Sequence, residues 1–370
     1  MLEIKLSTFR GRPGVALGNG VVEVFILSGG GHIARLSVAG GLPNVLWEPT
    51  WPLIEPGLRE IADTSVYGDH EESKLLSSIA GHNLCCDLFG SQSPGEIAAG
   101  MPLHGEAGMV AWTAVQADTG GGSARLVMEA DLPHSEMGVR RLFTLDEGSS
   151  TVRVEEVLIN KVGFQRAIGV AQHATLGSAF LGTPDAPALF TCNADKGMTW
   201  PQGDELTSFG GDTEFNYPTI PGKDGNVLDW EIYPRQKSNG DLCTLRISHK
   251  DDVGWFTACN PSKRTAVAYA WERAHFPWLV TWEENYSREL PPWNGRELTR
   301  GMEFSAFPFP LTREWNVEQG RLLDTPCFTW LDAYEERRYT FSFTVQPCKE
   351  GIKEAPRAVV DGNWDIQLYS

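Results

Sequence analysis

Residues 124–132 read Ala-Arg-Leu-Val-Met-Glu-Ala-Asp-Leu, and residues 340–346 read Thr-Phe-Ser-Phe-Thr-Val-Gln. In the first stretch Ala124, Leu126, Met128, Ala130 and Leu132 alternate with Arg125, Glu129 and Asp131. In the second, Phe341, Phe343 and Val345 alternate with Thr340, Ser342, Thr344 and Gln346. A two-residue period puts every second side chain on one face of an extended chain, and no helix presents its residues that way. Ala34, Leu36 and Val38 repeat the pattern around Arg35 and Ser37. Loops dense in Gly, Pro, Asn and Asp, such as residues 183–188 and 218–226, separate such segments. Residues 120–122 read as a hairpin tip, and residues 29–31 as a glycine turn between two strands. Residues 71–79 are the best helix candidate. Residues 332–338 feed a strand and read as a turn. The pattern predicts an all-β fold, a large antiparallel β-sandwich. No internal repeat suggests a propeller, and no Pro/Ser-rich linker divides the chain. Residues 1–370 are therefore expected to form a single unit with its core at about 15–346. The first ~75 and last ~20 residues carry weaker patterning and are expected to decorate that core.

Composition narrows the function. Apolar residues make up 41% of the 370, enough for a sizeable core. The 31 Lys and Arg against 48 Asp and Glu give a net charge of −17, and no basic run interrupts it. Phosphate backbones and anionic membranes are poor partners for such a chain. No apolar run reaches the ~18 residues of a membrane-spanning helix, and the opening residues lack the apolar core of a signal peptide. Cys85, Cys86, Cys192, Cys243, Cys259, Cys327 and Cys348 are odd in number and contain no CxxC pair. They are expected to be reduced, buried small hydrophobes, which suits a cytoplasmic protein.

The chain has no GxSxG, Walker loop, GxGxxG after a strand, or HExxH. None of its eight histidines has the i, i+4 spacing of a helical metal pair; a metal assembled from distant histidines stays open, but nothing asks for one, and no metal or cofactor is expected. Three local motifs remain. Residues 102–108, Pro-Leu-His-Gly-Glu-Ala-Gly, put His104 between glycine-permitted turns where its ring can face a ligand. Residues 171–177, Ala-Gln-His-Ala-Thr-Leu-Gly, put His173 at the edge of a strand. Residues 300–304, Arg-Gly-Met-Glu-Phe, place Glu303 among apolar neighbours, where desolvation raises a carboxyl pKa and makes a better base.

In this order, the motifs resemble the aldose 1-epimerase (galactose mutarotase-like) family. That family has a His-Gly motif, a second histidine after a central strand, and a C-terminal glutamate in a Gly-x-Glu or Gly-x-x-Glu context. The likeness spans about residues 15 to 346. It implies a galactose mutarotase-like super-sandwich and interconversion of the anomers of a free aldose. Glu303 would be the base, taking the C1 hydroxyl proton. Charged His173 would be the acid, giving a proton to the ring oxygen, and His104 would bind a sugar hydroxyl. Neither metal nor cofactor is needed. The chain departs from the family at residues 81–86, Gly-His-Asn-Leu-Cys-Cys, which stand in place of Gly-Arg-x-x-Asn-Arg. His82 and Asn83 are the candidate sugar contacts there, and Asp229 and Asp241 lie in the region of the family's substrate-binding aspartate.

Trp271, Trp278, Trp282 and Trp293 fall close together beside acidic residues. Sugars stack their C–H faces on such rings, and Trp271 and Trp282 are the candidate platforms. At least two of the four are expected in the core and one or two in the cleft. A monosaccharide or related sugar is the expected partner of a monomer or homodimer. Two other readings stay open: a non-catalytic carbohydrate-binding protein on the same fold, and a sugar lyase or hydrolase, for which Glu283 or Glu284 would supply a second carboxylate. A phosphorylated sugar would want cations at the cleft, and Arg296 and Arg300 are those near Glu303 in sequence.

Overall fold

The computed structural model describes residues 1–57, 63–203, 205–236 and 238–369. Among the described residues, two large antiparallel sheets of eleven and ten strands share one core. In the eleven-stranded sheet, the strands His82–Cys85, Ala171–Gly177, Leu298–Ser305, Trp278–Asn285, Asn239–Ile247 and Ala194–Thr199 lie side by side in that order. The other sheet centres on Val253–Asn260, Thr265–Glu272, Glu336–Pro347 and Thr151–Asn160.

The two-residue period does what it predicts. Along Ser123–Leu132, Arg125, Glu129 and Asp131 are exposed while Leu126, Met128 and Leu132 are buried. Along Glu336–Pro347, Phe341, Phe343 and Val345 are buried. The sheets meet through aromatic contacts such as Phe304 stacked on Trp271, with centroids 4.5 Å apart and planes 7° from parallel. Such pairs add about 0.5–1.5 kcal/mol beyond their buried area.

The core also holds charge. Arg141 Nε donates to Glu156 at 2.7 Å, and Gln172 Nε2 donates to the same carboxylate at 2.8 Å. Gln172 Oε1 lies 3.0 Å from His82 Nε2. A buried ion pair stripped of one partner leaves a costly orphan charge, so this group tolerates only one arrangement. It ties the strand carrying Gln172 to the opposite sheet.

Six cysteines are buried, the seventh is half-buried, and all are free thiols. Residues 29–31 do turn between Val22–Leu27 and Ile33–Val38. A turn at residues 333–334 leads into the strand Glu336–Pro347. The segments 183–188 and 218–226 are not loops throughout, since they include the start of the strand Ala186–Cys192 and the short strand Thr219–Pro221. Two further expectations need correction. Residues 71–79 hold only the four-residue helix Ser73–Leu76, while the longest helix among the described residues is Arg313–Gln319. It starts where the Thr312 hydroxyl accepts from Trp315 N at 3.2 Å. The N-terminal residues are more than decoration: Glu3–Phe9, Arg12–Gly18, Val22–Leu27 and Ile33–Val38 form four consecutive strands of the eleven-stranded sheet. The C-terminal hairpin Arg357–Val360 and Ile366–Tyr369 packs on Ala268 and Ala270 of the other sheet.

Candidate active site

His173 and Glu303 stand directly opposite each other on neighbouring strands, and Asn83 stands opposite His173 on its other side. Residues in one such row point to the same face of the sheet. His173 Nε2 lies 3.1 Å from Glu303 Oε1. His173 Nδ1 lies 3.1 Å from the Thr175 hydroxyl, two residues along on the same face.

Gly301 makes room for the carboxylate. It lies directly across from Trp282 and two residues before Glu303, and a Cβ there would fall on Glu303 Oε1 and 3.4 Å from Trp282 Cβ. The missing side chain lets the Glu303 carboxylate fold back over its own strand beside Trp282.

His104 reaches the same place from the loop after the Pro94–Ala98 helix. Its φ is +62°, and the next residue, Gly105, is at +78°, where a Cβ would strike the Cys86 backbone. Gly90 N donates to His104 Nδ1 at 3.2 Å, which fixes the neutral tautomer with its proton on Nε2. The ring meets His173 edge-on at 5.4 Å and is backed by Phe89 at 5.6 Å.

These three side chains line one cavity of about 240 Å³. Its walls include Trp47, Leu75, Ile79, Trp282, Arg288 and Trp293 on one flank, and Trp200, Thr207, Asp241 and Leu242 on the other. Burial sets the electrostatics. Glu303 is 2% exposed, and desolvation holds its carboxyl well above the usual range. Burial pushes His173 down to about 4 and His104 to about 3. Glu303 Oε1 has no aligned hydrogen-bond donor. Desolvation thus disfavours the charged form of each of the two facing groups.

Other sequence candidates lie elsewhere. His82 points into the core because neighbours on a strand face opposite ways. It is fully buried between Tyr269, Phe304 and Phe341, and burial pushes it to about 3. Asn83 shares the row of His173 but is off the cavity wall: it lies under the loop at Gly108, whose Cβ position is 3.6 Å from Asn83 Nδ2. Trp271 belongs to the other sheet and is fully buried, its indole donating to Phe276 O at 2.8 Å. Trp278 is likewise buried, so Trp282 and Trp293 are the two of that group on the cavity.

Asp229 is exposed and off the cavity wall. Asp241 borders the cavity, but its oxygens already accept from Thr207, Ser208, Asn239 and Arg235. Glu283 is buried against Arg235 and Arg300, and Glu284 against Ser287 and Arg288, so neither serves as a partner for Glu303. Arg300 is sandwiched between Phe190 and Trp230 at 4.1 and 4.3 Å, and Arg296 is exposed. Neither lines the cavity. Trp47 and Trp200 do line it, and sequence reasoning missed both: each lies outside a two-residue period, and its contacts come from distant segments.

No family model and no curated protein matches the chain. Solved structures do. A galactose mutarotase-like protein from Clostridium acetobutylicum aligns with a TM-score of 0.63 at 15% identity over 94% of this chain and 99% of its own. A Klebsiella pneumoniae protein proposed to be an aldose 1-epimerase aligns at 0.65 and 13%, over 93% and 83%. A galactose mutarotase related enzyme from Lactobacillus acidophilus aligns at 0.56 and 11%, over 91% and 99%. At such identities the likeness is one of fold: an all-β sandwich of the galactose mutarotase-like kind.

Proposed function

We propose that this protein is an isomerase that interconverts the anomers of a free aldose. The observation that carries the reading is the contact between His173 and Glu303 in the cavity, with the His104 Nε2–H donor beside it. Anomerisation needs one base and one acid working on the same anomeric centre, and these two side chains stand 3.1 Å apart. Sugar hydroxyls donating to Glu303 replace the solvation that burial removed and favour the ionised carboxylate beside a charged His173. Glu303 then takes the O1–H proton while His173 gives its proton to O5. The C1–O5 bond breaks and leaves an aldehyde. Rotation about C1–C2 presents the other carbonyl face. Protonated Glu303 returns its proton to O1 as O5 attacks C1 and His173 recovers the O5 proton. His104 binds a hydroxyl or the ring oxygen, and Trp282 offers an apolar surface. The fold relatives and the motif order support the same reading.

The test is saturation-exchange NMR of anomer interconversion across common aldoses, read above the spontaneous rate. Glu303→Gln keeps shape and removes the base, so it should lower kcat by at least ~10²-fold with little change in stability. Wild-type turnover in that variant would make the glutamate structural and favour a binding protein on the same fold.

A further inference from the structure

The cavity is wider than one sugar ring. Its lining comes from five consecutive strands: His173, Glu303, Trp282, Leu242, and Trp200 immediately after Ala194–Thr199. Neighbouring strands lie about 4.8 Å apart, so three steps from the Glu303 strand to the one ending at Trp200 cover about 14 Å. A pyranose with its hydroxyl oxygens is about four single bonds of ~1.5 Å across, or roughly 6 Å. A ring placed over Glu303 and His173 therefore leaves the Trp200 end unfilled.

That end is built rather than open. Trp200 N donates to Leu242 O at 3.2 Å, and its half-buried ring packs edge-on against Phe309 at 5.6 Å. The wall between is fixed by Asp241, which holds Thr207 Oγ1 at 2.7 Å and Ser208 N at 2.6 Å. A partly exposed indole on a hydrogen-bonded wall, beside a hydroxyl and backbone polar groups, suits the apolar face and hydroxyl edge of a second sugar.

We infer that the substrate is a reducing oligosaccharide, its terminal aldose over His173 and Glu303 beside Trp282 and its next ring against Trp200. This rests on the anomerisation reading for the terminal ring. A free anomeric carbon is required at the acid–base pair, so further rings attach through hydroxyls away from C1 and extend along the cleft. The flank with Trp200 carries the second ring.

The experiment compares matched probes on the native protein: D-glucose with cellobiose and maltotriose, and D-galactose with lactose. Anomer exchange is followed by NMR, and binding by tryptophan fluorescence. At least one oligosaccharide should show a kcat/KM about tenfold above its matched monosaccharide. Trp200→Ala should cut that ratio about three- to tenfold, and Trp200→Phe should restore most of it. Equal or better use of every monosaccharide overturns the proposal, even if Trp200→Ala fails to fold. If no sugar anomerises above background, the anomerisation reading fails by itself. The fluorescence titration then decides the cleft: tighter oligosaccharide binding upholds the extended site, and equal or absent binding overturns it.

Discussion

Replacing Gly301 by alanine adds one methyl group at the point where the Glu303 carboxylate folds back. The new Cβ would sit on Glu303 Oε1, 3.2 Å from Cδ and 3.4 Å from Trp282 Cβ. The clash is with the free end of a flexible side chain, so the carboxylate swings away by about an ångström while the backbone stays in place. Gly301 sits in ordinary extended conformation, and alanine there narrows the unfolded ensemble by about 0.4–1 kcal/mol. That gain offsets the tightened contact with Trp282, and the net change in stability should stay within about 1 kcal/mol. Catalysis has no such offset. Misplacing a reacting group by ~1 Å costs on the order of 10²-fold, or about 2.7 kcal/mol of barrier. The variant should therefore melt in urea like the native protein and lose about 10²-fold in kcat/KM by saturation-exchange NMR. A double variant with Glu303→Gln should lose little more than Glu303→Gln alone, because both act through one carboxylate. Native kcat/KM in Gly301→Ala, or fully additive losses in the double variant, would refute the reasoning.

His104→Asn keeps a donor but shortens it, and should raise KM more than it lowers kcat in the same assay; an equal fall in kcat and kcat/KM would instead give His104 a part in the chemistry. The pH profile of kcat/KM should be bell-shaped because His173 and Glu303 must hold one proton between them and titrate as a pair. Its acid limb should lie near the depressed His173 value of about 4, not at the ordinary 6.5, and its alkaline limb should follow loss of the proton from the raised Glu303. Stability should fall in acid. His32, His82 and His104 are pushed to about 3 by burial and His173 to about 4, so below about 6.5 the unfolded chain binds more protons than the folded one. Glu303 acts with opposite sign, since its raised pKa gives up stability as pH rises. Urea midpoints measured from pH 7.5 to 5 should decline, and a flat series would contradict the neutral burial of these rings.

The sandwich was legible because its strands are half-buried and write their period into the sequence, as Ser123–Leu132 does. The meeting of His173 and Glu303 was legible through the motif order. What escaped was facing. His82 and Asn83 are adjacent, so one enters the core and the other the functional face, where a loop then covers it; single-sequence reading assigned both to the sugar. Trp271 and Trp282 lie 11 residues apart in sequence, yet they belong to different sheets. Glu156 occupies an inward position that alternation reserves for apolar groups, and only its partner Arg141 makes sense of it. Trp47 and Trp200 gain their place from tertiary contacts alone.

Glu303 and His173 face each other across one rung of a hydrogen-bonded ladder. The ladder works as a ruler. Its rung spacing belongs to the backbone, so exchanging the segments around Trp47, Trp200 or Trp293 redraws the mouth of the cleft without moving His173 from Glu303. Slipping the register by one residue would turn one partner inward and part the two side chains at a stroke. The scaffold thereby separates two kinds of change: the rim of the cavity can vary through loop replacement, while the distance between His173 and Glu303 stays fixed. For engineering, the practical course is to graft loops and leave the ladder alone.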